Sequence, residues 1–154
     1  MTDIIKKWTM RVQGLDRHVS KNDSVKDEWE LISFSHGVFA HGGTPDGSRV
    51  VQLQDLHLMR FSDGATPILF KLCESGDALD SVIIELRTLQ DEREVFLMRY
   101  ELLKARIVSV SPAGGPQGSE IALTESLQLT CERLRMHVKS GAGYSTIDLV
   151  PPKP

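Results

Sequence analysis

The stretch VVQLQDLHLMRFSDGATPILFKLCESGDAL, residues 50–79, decides how the rest of the chain is read. Its first part alternates like a strand, but the alternation slips. Val51 and Leu53 place apolar side chains on odd positions, whereas Leu56 and Leu58 place them on even ones, with Asp55 between. Strand side chains alternate strictly between two faces, so an apolar set changes phase only through a bulge or bend, or by burying the opposite face. The second part, TPILFKLCES, predicts a helix over 66–75. Thr66 can cap the first turn, Pro67 suits the first helical position, and Gly76 suits the left-handed residue just past the end. At about 100° per residue, Ile68, Leu72, Leu69, Cys73 and Phe70 fill one arc, and Lys71, Glu74 and Ser75 fill the other. A helix this short is marginal alone in water, so its apolar arc must dock on something else.

The same slip recurs in IALTESLQLTCERLRMHV, residues 121–138, where Ile121, Leu123, Leu127 and Leu129 give way to Leu134, Met136 and Val138. Repeated phase changes suit a curved sheet closing into a barrel, a strand that leaves one sheet for another, or strands whose second face another subunit covers. In WELISFSHGV, residues 29–38, Ile32, Phe34 and Val38 share one face, interrupted by Glu30 and His36. SVIIELRTL, residues 81–89, reads as a shorter strand. VFLMRYELLKARIVSV, residues 95–110, alternates at Phe96, Met98, Tyr100 and Leu102 but is also rich in helix formers, so strand and helix both stay open. HGGTPDGS (41–48), SPAGGPQGS (111–119) and SGAG (140–143) read as connections, and the tail over 150–154 as extended or frayed. No internal repeat or linker divides the chain, which predicts a single mainly β domain over 1–154.

The chain has 154 residues, 40% of them apolar, enough for one core. Net charge is −3 and the basic residues are scattered, which argues against nucleic acid or an anionic membrane as partner. No apolar run approaches the ~18 residues of a membrane span. The opening MTDIIKKWTM lacks the apolar stretch of a secretory signal. Cys73 and Cys131 fit free thiols in a reducing compartment. There is no GxSxG elbow, HExxH, phosphate loop or CxxC. The histidines at 18, 36, 41, 57 and 137 include no i, i+4 pair. His36, Asp55 and His57 could meet across strands and hold zinc or a small ligand, against the plainer reading of surface histidines. Asp27, Glu28 and Glu30 read as a solvated strand start, and Ser109 and Ser111 have no base at a characteristic spacing. The glycine pairs at 42–43 and 114–115 open onto no helix, so they read as turns rather than anion cradles. The expectation is therefore no catalytic residue, no metal, no cofactor and no enzyme.

Laid in order, these pieces resemble the haemolysin-coregulated proteins, the inner-tube proteins of bacterial type VI secretion systems. WELISFSHGV resembles that family's first long strand, followed by a glycine-rich loop like HGGTPDGS. VVQLQDLHLMRFSDGATPILFKLCESGDAL resembles its strand, loop and threonine–proline helix ending in serine–glycine. SVIIELR resembles the next strand, and ELLKARIVSVSPAGG with LTESLQLTCERL resembles the final long hairpin, including a threonine–glutamate pair at Thr124 and Glu125. WTMRVQGLDRHVS resembles the opening strand without the usual glycine–glutamate–serine after it. His36 stands where the family commonly has an aromatic residue, and LVPPKP replaces a glycine–tryptophan ending.

The resemblance implies a compact β-barrel of two packed antiparallel sheets, with one short helix docked through Ile68, Leu69, Leu72 and Cys73, and strand over 95–110. It implies hexameric rings that stack into a tube, with a contractile sheath, a spike protein and small effectors as partners. On that basis Ser35 is expected to face the ring's lumen, and His41, Gly42, Gly43 and Asp46 to lie on the stacking loop. The loop is short, which favours ring formation over stacking. The protein is expected in the cytoplasm before firing and outside afterwards, exported without a signal peptide. Two other readings remain: a free-standing small barrel that binds a ligand or metal through His36, Asp55 and His57, and a ring-forming paralogue that is not used as tube.

Overall fold

The computed structural model describes residues 7–15, 28–41, 50–117 and 120–149. The strands are β1 (Lys7–Gln13), β2 (Glu28–Ser35), β3 (Val38–His41), β4 (Val50–Leu53), β5 (Leu56–Phe61), β6 (Leu79–Gln90), β7 (Arg93–Gln117), β8 (Glu120–Thr130), β9 (Arg133–Ser140) and β10 (Gly143–Leu149); the helix α1 spans Thr66–Ser75. The fold is mainly β, as the alternation predicts. Pairing runs β7–β6–β1–β2–β5–β8 and then from β8 back to β7, so these strands close on themselves as a barrel. A separate hairpin joins β3 to β4.

The seam is β7. Its first half, residues 93–105, pairs with β6, and its second half, 106–117, pairs with β8. Between the halves Lys104 takes a positive φ of 53°, a conformation L residues adopt at a cost and one that marks the corner. β8 and β9 follow one another along the same edge of β7: Thr130 lies opposite Arg106, and Arg133 opposite Leu103. The Glu132 N–H donates to the Leu103 carbonyl at 3.0 Å across the break. Beyond that break the neighbour changes, from β5 beside β8 to β10 beside β9.

This arrangement resolves the phase slips. The slip between Leu53 and Leu56 is where the chain leaves the β3–β4 hairpin and enters the barrel. The slip between Leu129 and Leu134 is the break between β8 and β9. Each is a strand end with a change of neighbours. Residues 95–110 are strand. The stretch 111–117, predicted as a connection, is strand too, paired with β8 through Gly114 opposite Leu123 and Gly115 opposite Ala122. A Cβ on Gly114 would lie 3.1 Å from Leu123 Cδ2, so the glycine allows this close pairing.

The β2 face needs a correction. Trp29 and Leu31, not Ile32, turn into the core, and Ile32 is 44% exposed, as is much of Val38. The register slips between Leu31 and Ser33, leaving Ile32 as the bulged residue, after which Phe34 faces Leu58 inside. Thr66 also differs from expectation. The N-cap position is Ala65 without a side-chain cap bond, and Thr66 is the first helical residue. Gly76 does close the helix in the left-handed region at φ 72°, its N–H donating to the Leu72 carbonyl at 3.0 Å. Leu69 and Leu72 are fully buried, and Ile68 and Cys73 pack against the core. Phe70 lies outside the docked arc, 47% exposed.

Candidate functional site

Glu125 stands on the inward side of β8, where an unpaired carboxylate would be costly. It is 0% exposed, and Arg60 on β5, directly opposite it, is 1% exposed. Arg60 Nη1 meets Glu125 Oε1 at 3.1 Å, and Arg60 Nη2 meets Asp63 Oδ2 at 2.7 Å. The guanidinium lies 4.1 Å from the centre of the Trp29 ring. Thr66 Oγ1 donates to the same Glu125 Oε1 at 2.5 Å and accepts from the Asp63 N–H at 3.1 Å. The first residue of the helix is thus tied to the middle of a strand 59 positions away. Among the described residues, Arg60 Nε and Glu125 Oε2 are buried without a hydrogen-bond partner, and Asp63 reaches the surface at the edge of the cluster. The cluster is a device for fixing the helix on the barrel.

On the outer face, β6, β7, β9 and β10 carry a ladder of charges. Glu85 is itself buried; it accepts from Arg87 Nη2 at 2.8 Å and from Arg99 Nε and Nη2 at 2.9 and 2.8 Å. Burial alone would raise the Glu85 carboxyl, but the two guanidiniums outweigh it and hold the group below the ordinary carboxylate range. Further along, Arg135 lies 3.9 Å from Glu101 and 3.5 Å from Asp148, and Arg133 pairs with Asp148 at 2.6 Å. Among the described residues, β10 ends the ladder with a neighbour, β9, on one side only. It is exposed from Gly143 to Asp148, including Tyr144 and Ile147.

Ser35 lies exposed at the end of β2, opposite His57. His36, Asp55 and His57 do converge, on one cavity of about 550 Å³ that Ser35 also lines. Burial pushes the His36 imidazole below its ordinary pKa, while a backbone hydrogen bond with Gln54 and the Asp55 charge oppose that shift. Its ring meets the Tyr100 ring edge to face at 5.8 Å, so it extends the row formed by Trp8, Phe34 and Tyr100 as an aromatic residue would. A Cβ on Gly37 would sit 2.6 Å from Gln54 Oε1, so the glycine leaves room for the end of that side chain in its present position. Among the described residues, no group of three His, Cys, Asp or Glu is placed to hold a metal ion. His41 ends β3, whereas Gly42, Gly43, Asp46 and the tail over 150–154 lie outside the described residues. No helix among the described residues is long and apolar enough to cross a membrane.

The Arg60–Glu125 pair and the Ser35–His57–Gln128 row escape sequence reasoning, because each depends on which strand lies beside which. The one signal present was a lone arginine and a lone glutamate on otherwise apolar strand faces.

Comparison with curated protein sequences returns no match. Among solved structures, Hcp1 from Salmonella typhimurium matches with a TM-score of 0.72 at 20% identity, over 94% of both chains. Hcp2 from the same organism matches with a TM-score of 0.63 at 23% identity, again over 94% of both. The secreted protein Hcp3 from Pseudomonas aeruginosa matches with a TM-score of 0.66 at 15% identity, over 97% of this chain and all of that one. At such identities the likeness is one of fold. The family described as "Type VI secretion system effector, Hcp" matches residues 10–138, most of the chain, including the barrel strands and the helix. The chain belongs to the Hcp family of type VI secretion system proteins.

Proposed function

We propose that this protein is a structural subunit of the type VI secretion inner tube, assembling as hexameric rings that stack and carry small effector proteins in their lumen. Family membership over residues 10–138 is the observation that carries this reading. Two features of the surface support it. Among the described residues the sheet keeps an open edge at β10, and Tyr144 and Ile147 stand exposed along it. Sheet edges and apolar side chains of this kind are what association covers, and a heterologous contact between copies closes into a ring. In this reading the whole chain, 1–154, acts as one domain. Ser35 faces the lumen, and the loop bearing His41, Gly42, Gly43 and Asp46 meets the next ring. The contractile sheath and the spike are the machine partners, the protein waits in the cytoplasm, and it performs no catalysis.

Native mass spectrometry and negative-stain imaging of the purified chain at micromolar concentration test the reading. Annular hexamers are expected. A strictly monomeric protein across that range, with no annuli, would count against it and favour a free-standing barrel using the His36–Asp55–His57 cavity.

A further inference from the structure

The strand register sets three polar side chains in a row: Ser35 opposite His57, and His57 opposite Gln128. They face outward on β2, β5 and β8, since their neighbours Phe34, Leu58 and Leu127 belong to the core. Asp55, just ahead of β5, accepts from Gln128 Nε2 at 2.9 Å through its Oδ2. His36 follows Ser35 and stands with Asp55 on the same cavity of about 550 Å³.

The wall of this cavity is rich in acceptors and, among the described residues, holds no lysine or arginine. Gln128 occupies Oδ2 of Asp55, and Oδ1 has no partner among the described residues. One His36 ring nitrogen is engaged by the Gln54 backbone. Burial lowers the His36 pKa, which favours the neutral imidazole, a form in which one ring nitrogen accepts. Ser35 adds a hydroxyl oxygen. A carboxylate flanked by further acceptors suits a cation carrying several N–H donors, and the planar guanidinium, with five N–H donors spread over three nitrogens, can reach Asp55 Oδ1 and neighbouring acceptors at once, where an ammonium acts as a compact point charge. A free amino acid fits less well: its own carboxylate would lie near Asp55 with no cation in the wall to receive it.

We propose that this cavity recognises the guanidinium of an arginine side chain presented by a partner polypeptide. In the tube reading Ser35 faces the channel, so the cavity would open onto cargo; that placement rests on the tube reading, whereas the binding itself belongs to the single chain.

The test is an NMR titration of the full chain, following the His36 and His57 ring signals, with acetyl-Gly-Arg-Gly-amide. The control is the same peptide carrying citrulline, which keeps the shape and loses the charge. A saturable shift is expected, with a dissociation constant on the order of 1 mM. Binding should weaken at least tenfold for the citrulline peptide and for Asp55→Asn, and less for a lysine peptide. Equal binding of the arginine and citrulline peptides would overturn the proposal. So would the absence of a saturable shift, undiminished binding by a folded Asp55→Asn chain, or tighter binding of lysine. The citrulline arm needs no substitution, so it decides even if Asp55→Asn fails to fold. Ring assembly is scored separately by mass: peptide binding without rings speaks against the tube reading alone, and rings without peptide binding against the cavity alone.

Discussion

Two regions of this barrel solve the same problem, a charged side chain on a strand, in opposite ways. Around the helix, Arg60 and Glu125 are sealed from solvent and bonded to each other, to Asp63 and to Thr66. At the other margin, the β9–β10 hairpin carries Arg133, Arg135 and Asp148 in exposed pairs, and the outer edge of β10 has no neighbour among the described residues. Buried pairs are strongly coupled to folding because losing one partner strands the other in a low-dielectric interior, whereas exposed pairs are screened and contribute little. The contrast teaches that the helix side packs within one chain, while the hairpin side leaves an edge that no other described strand covers. In the proposed tube subunit that edge falls to a second copy.

The largest effect should come from the sealed side. Glu125→Gln keeps the shape but removes the charge that answers Arg60, and chemical denaturation should show a loss of about 3–5 kcal/mol. An unchanged midpoint would mean that Asp63 alone satisfies Arg60. Next, Leu72→Ala opens a cavity under the helix and should cost about 2–5 kcal/mol, read from the same denaturation curves. If stability held, the helix would contribute nothing to the core. The smallest effect belongs to the open side. Arg133→Ala removes the Asp148 pair, and the melting midpoint of the isolated chain should stay within experimental error. A clear drop would erase the contrast between the regions.

Much of this was legible along the chain. The helix boundaries follow from Pro67 and Gly76, because caps are local chemistry, and its buried arc follows from the spacing of Leu69 and Leu72. The slips at Leu53/Leu56 and Leu129/Leu134 mark real departures from a continuous strand, and the structure makes both of them strand ends. What alternation could not show was which residue bulges. Ile32, Phe34 and Val38 look like one face until the register with β5 ejects Ile32. Nor could it show partners distant in sequence. Thr66 reads as a cap from its neighbours alone, but its hydroxyl goes to Glu125 on β8. The cavity was half legible: His36, Asp55 and His57 were nameable as a set, but Ser35 and Gln128 joined it only through strand order. Glycines 114 and 115 suggested a turn and proved to be strand, paired with Leu123 and Ala122, with Gly114 close against the Leu123 side chain.

Amide hydrogen exchange across a dilution series tests most directly whether the barrel is closed within one chain while its outer edge awaits a neighbour. In the dilute monomer, β6 (Leu79–Gln90) should exchange slowly and β10 (Gly143–Leu149) quickly, with β10 gaining protection at the concentration where rings form. If β10 is already as protected as β6 in the monomer, or stays unprotected in assembled rings, the edge is not what a second copy completes.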